Sequence, residues 1–70
     1  MDKAQAIAAL RQIANAVVET VNEQPQGAPA GPMYLAFMAQ GMSLNQFEQI
    51  TGALVAAGRI TRRGDCFYPA

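Results

Sequence analysis

Seventy residues, 51% hydrophobic and 14% charged, specify one small globular domain rather than a disordered chain. One cysteine and no histidine exclude an internal disulfide and the usual zinc sites, and leave acid–base chemistry without its commonest side chain. Five basic and five acidic residues balance to zero, whereas a chain that holds a nucleic-acid backbone usually carries a basic excess.

The first element is a long helix, predicted over residues 2–24. Ile7, Leu10, Ile13, Ala14, Val17, Val18 and Val21 recur at three- and four-residue spacing and form one apolar stripe. Asp2 and Gln5 have the spacing of a capping box. Gln5, Gln12, Asn15, Glu19 and Glu23 fall on the opposite face, while Ala9 and Ala16, outside the stripe, leave room for a second helix. Pro25 stops the helix, and three prolines with two glycines between Pro25 and Pro32 predict a loop over 25–31.

A second helix is predicted over 32–40, with Pro32 in its first turn and Gly41 at its C-terminal cap. It is apolar all round, so it needs cover on more than one side. A turn over 41–43 leads to a third helix over 44–57, opened by a Ser43–Gln46 capping box and stopped by Gly58. Leu44, Phe47, Ile50, Thr51, Leu54 and Val55 make its inner face; Asn45, Gln49, Gly52, Ala53 and Ala56 point outward by helical angle.

The chain closes on a hairpin predicted over 59–68. A two-residue loop at Arg63-Gly64 and a four-residue loop from Arg62 to Asp65 both set Ile60 opposite Phe67, Arg59 opposite Tyr68 and Thr61 opposite Cys66, with Pro69 stopping the ladder. Arg63-Gly64-Asp65 reads as a turn rather than an adhesion tripeptide, Cys66 as structural, and Tyr34 as core. No stretch has the make-up of a signal peptide or membrane span, and the unpaired cysteine fits a reducing cytoplasm.

This order of elements resembles the winged helix-turn-helix superfamily, most closely from Met33 to Tyr68. The features that carry the resemblance are Gly41 in the turn, then Phe47, Ile50 and Leu54, and Gly58-Arg59-Ile60 leading into the wing. Four residues before the turn glycine the superfamily commonly has a small residue; this chain has Phe37. The resemblance implies a mainly α, three-helix domain with a C-terminal β-hairpin, spanning residues 1–70. It also implies a transcription-regulator-like function on double-stranded DNA. Asn45 and Gln49 would meet base edges, and Arg59, Arg62 and Arg63 would clamp phosphates from the wing.

The third helix has no Lys or Arg, and Glu48 flanks its outer face. About three wing arginines neutralise roughly three phosphates, enough only for weak, salt-sensitive binding, so the DNA reading requires a homodimer. A domain of this size without disulfide or metal also gains stability from self-association. The competing reading is a protein-interaction module, with a partner helix lying on the small-residue patch of Gly52, Ala53 and Ala56. Nothing in the chain forms a catalytic constellation, a phosphate-binding glycine loop, or a cofactor or metal site, so the reading is not that of an enzyme.

Overall fold

The computed structural model describes residues 3–70; the expected Asp2 cap lies outside the described residues. Three helices and a three-stranded antiparallel sheet follow in the order α1 (Lys3–Asn22), β1 (Ala28–Pro29), α2 (Ala30–Met38), α3 (Leu44–Ala56), β2 (Ile60–Arg63) and β3 (Cys66–Pro69). The sheet order is β1-β3-β2. The architecture is mainly α with a C-terminal hairpin, in a winged-helix-like arrangement. No described helix is long and apolar enough to cross a membrane.

Local chemistry accounts for the helix ends. The Gln46 amide N–H donates to Ser43 Oγ at 3.2 Å, and the Ser43 amide donates to Gln46 Oε1 at 3.0 Å, completing the capping box. At the far end of α3, the Gly58 amide donates to the Val55 carbonyl and the Arg59 amide to the Leu54 carbonyl, the paired bonds of a Schellman motif. The same pair closes α2, from Gly41 to Met38 and from Met42 to Phe37; the Met42 and Phe37 side chains are both buried there.

Between α1 and α2 the expected loop holds a strand. Ala28 pairs with Phe67 and Pro29 with Cys66, and α2 therefore begins at Ala30 rather than Pro32. The Ala30 amide donates to the Asp65 carbonyl at 2.7 Å, tying the start of α2 to the hairpin tip. Pro29 lacks a donor and sits at the end of an edge strand, where none is needed. Pro32 falls in the first turn of α2, where a missing N–H costs nothing. The first helix ends at Asn22 and the third at Ala56, slightly short of the expected 24 and 57.

The hairpin differs in register from the expectation. Arg62, not Ile60, is opposite Phe67; Ile60 is opposite Pro69, Thr61 opposite Tyr68 and Arg63 opposite Cys66. Arg59 precedes the ladder, and Pro69 belongs to it. The loop is therefore Gly64-Asp65, with φ of 58° at Gly64 and no positive φ at Asp65. That combination suits a type II′ turn, which requires glycine at its first central position. Moving the partner by two residues preserves the faces of the strands. Ile60 and Phe67 thus both remain inward, each 1% exposed.

The core gathers Val17 and Val21 from α1, Met33 and Phe37 from α2, Phe47 and Leu54 from α3, and Ile60 and Phe67 from the hairpin, with Ala28 and Met42. Phe47 is its centre: its ring lies 5.6 Å from Tyr34, 6.3 Å from Phe37 and 6.4 Å from Phe67. Phe37, at the position where the superfamily commonly has a small residue, joins α2 to α3 through aromatic packing. Thr51 is buried and its hydroxyl donates to the Phe47 carbonyl at 3.0 Å. Several expected inner positions face solvent instead. Leu44 and Val55 lie at the wing-side edge of α3, and Ile7 and Leu10 lie on the N-terminal half of α1, Leu10 at the rim of a cleft beside α3. Ala16, expected outside the stripe, packs against the core.

Gly27 carries a backbone constraint that its position in a glycine-rich loop conceals. Its φ is 124°, and an added Cβ would come within 3.0 Å of the Tyr68 ring. Gly27→Ala is expected to cost about 1–3 kcal/mol, chiefly from the backbone because the ring can yield slightly. An unchanged thermal midpoint would contradict the positive-φ backbone at Gly27.

Candidate nucleic-acid interface

The outer face of α3 is where the capping box and the buried Phe47, Thr51 and Leu54 place it. With those three residues turned inward, Asn45, Gln49, Gly52, Ala53 and Ala56 are all exposed, as the helical angle requires. Gly52 faces open space: a methyl group added to its Cα would meet nothing within 4 Å. Asn45 and Gln49 stand one turn apart on this face, and both side chains end in amides with one acceptor and two donors.

The structure separates the three clustered arginines. Arg62 is on the core-side face of β2, stacked over the Phe67 ring at 5.2 Å, and its Nε donates to the Gly64 carbonyl at 3.0 Å. It borders two shallow clefts together with Glu48, Thr51 and Phe67, one of them also lined by Gly52 and Val55. Arg62 therefore flanks α3 directly. Arg63 lies on the other face of the strand, 5.7 Å from the Tyr68 ring. Arg59 turns toward α1, where both Nη1 and Nη2 lie 3.4 Å from Asn15 Oδ1.

These contacts fix the basic groups without neutralising them, since the partners are rings, a carbonyl and an amide. All three arginines remain exposed. The electrostatic surface is consequently an uncharged amide face on α3 with Arg62 along one flank, Arg63 beyond it at the wing, and Arg59 on the opposite, α1 side. Glu48 lies between the amide face and Arg62 and weakens the positive potential there.

Sequence reasoning treats the three arginines as equivalent, because the hairpin register that divides them is not readable from the residues. It misses two features near this face: the exposed edge of Leu44 and Val55, and a deeper cleft of about 330 Å³ on the α1 side of α3, bordered by Gln49. The chain matches no family model, no curated protein and no solved structure.

Proposed function

We propose that this is a small winged-helix DNA-binding protein, a transcription-regulator-like module that acts on double-stranded DNA as a homodimer. The observation that carries the reading is the placement of Arg62 beside the outer face of α3, with Asn45 and Gln49 exposed on that face. In this reading α3 enters the major groove, the two amides meet adenine edges, and Arg62 and Arg63 hold phosphates. Arg59 adds positive potential from the α1 flank.

The balance of charge sets the energetics. Two or three phosphate contacts per copy give a slope of log affinity against log salt of about −2 to −3, and pairing doubles it. A dimer making roughly six contacts loses about a thousandfold in affinity between 50 and 200 mM salt. Fluorescence anisotropy with random and genomic duplexes across a salt series tests this. Salt-dependent binding with a preference among sequences is expected; absence of binding at the lowest salt would reject it.

In that event the protein-interaction reading takes precedence, because Gly52, Ala53 and Ala56 form an open, small-residue surface on the same helix. Gly52→Leu, which has space for its side chain, tests that reading: it leaves the fold intact and removes a partner helix that needs close approach.

A further inference from the structure

The stripe that anchors α1 does not end where the body ends. Ala6, Leu10, Ile13 and Val17 recur at alternating four- and three-residue spacing, the seam of a helix meant to pack along its length. Burial fades from Val17 to Leu10, while Ala6, a turn further out, is partly buried. Val17 is 0% exposed, Ile13 is partly buried, and Leu10 is 54% exposed, with Ile7 beside it at 45%. The arm so formed, ten residues from Lys3 to Gln12, spans about 15 Å. On its apolar side Ile7 and Leu10 remain exposed, with Leu10 at the rim of a cleft.

At the base of the arm lies the cleft of about 330 Å³, lined by Leu10, Ile13, Phe37, Met42 and Ile50 together with Gly41 and three glutamines, and by no charged side chain. An apolar arm and an apolar groove thus adjoin on one surface, and each is of the kind that the other would fill. Such a surface is self-complementary under a two-fold axis: the arm of each copy enters the groove of the other.

The exposed area matches this arrangement. The chain exposes 4701 Å², whereas a compact monomer of 7.4 kDa exposes about 4200 Å². The surplus of about 500 Å² per copy, buried on both sides of a two-fold, amounts to about 1,000 Å², the lower bound of a specific interface. The formal charge of zero adds no net repulsion between copies.

We propose that the N-terminal half of α1 is a dimerisation arm, which lays Ile7 and Leu10 antiparallel across the Ile13–Met42–Ile50 groove of a second copy. The groove is bordered by Gln49, so this pairing adjoins the face read as contacting DNA, and it supplies the pairing that the DNA reading requires. An interface of this size belongs with weak, transient associations rather than with obligate dimers.

Sedimentation equilibrium from micromolar to half-millimolar concentration, with amide chemical shifts followed over the same range, tests the proposal. Parent protein is expected to dimerise, with shifts at Ile7, Leu10, Met42 and Ile50. Ile7→Glu with Leu10→Glu is expected to be monomeric with an unchanged circular dichroism spectrum, since both side chains are exposed, and Leu10→Met is expected to retain the dimer. A parent that stays monomeric throughout would overturn the proposal, as would a double variant that dimerises as well as the parent. A monomer whose groove takes up the apolar dye ANS would reassign the groove to a small ligand and overturn it too. Duplex titrations on the same samples keep the two readings distinct. A dimer without DNA affinity sinks the DNA reading alone, and a monomer that binds DNA with a salt slope near that of two or three contacts sinks the arm and the homodimer while leaving the DNA contact standing.

Discussion

Phe47→Ala should remove a large share of the domain's stability at 25 °C. Phe47 is 3% exposed and its ring meets Tyr34, Phe37 and Phe67, so its removal detaches α3 from both α2 and the hairpin. Truncating a buried phenylalanine costs about 3–5 kcal/mol, while a 70-residue domain has only about 4–10 kcal/mol in total. The loss is greater where the surroundings cannot collapse, and two rings fixed on α2 with a third on β3 collapse poorly. Leu54→Ala, 5% exposed, should cost about 2–5 kcal/mol by the same argument. Leu44→Ala is the control: half of that side chain is open to solvent, and its loss should stay within about 0.5 kcal/mol. Urea unfolding followed by circular dichroism ranks the three. A cooperative, near-parental transition for Phe47→Ala would show that the aromatic centre has been misplaced.

The second large effect concerns affinity. Replacing Arg62 and Arg63 together by alanine should weaken binding to every duplex alike, by about tenfold per lost phosphate contact at 50 mM salt, and flatten the salt slope by roughly one unit per contact. Asn45→Ala and Gln49→Ala should act differently, reducing sequence preference by about 1–3 kcal/mol while leaving non-specific affinity nearly intact. All four side chains are exposed, so thermal stability should change little. The Arg62 substitution carries one additional effect, because its guanidinium shields the Phe67 ring. Arg62→Lys therefore serves as the check: it keeps the charge and most of the phosphate contact while losing the planar stack. An arginine double variant that binds as tightly as the parent would remove the wing from the interface.

Features that depend on one or two turns of chain were legible in the residues. The Ser43–Gln46 box and the bonds closing at Gly41 and Gly58 need only a fixed spacing and a permissive residue, and all form as expected. The outward direction of Asn45 and Gln49 follows from helical angle once Phe47, Thr51 and Leu54 are inward. Features that depend on distant pairing were not legible. β1 is two residues long, contains a proline, and exists because β3, nearly forty positions away, offers Ala28 and Pro29 a partner. The hairpin register was ambiguous because a slip of two leaves Ile60 and Phe67 on the same face, so burial could not choose between pairings. That slip decides which arginine reaches α3. Periodicity likewise gave the apolar line of α1 without the point at which the body stops, which is why Ile7 and Leu10 read as core.

Contact with DNA through the outer face of α3 and the adjoining wing is tested most directly by titrating a duplex into isotopically labelled protein at low salt, with amide shifts followed residue by residue. Changes are expected to concentrate at Asn45, Gln49 and Gly52 on α3 and at Arg62 to Gly64 on the hairpin, and to reverse on adding salt. Shifts confined to other surfaces, or none at saturating duplex, would contradict that contact.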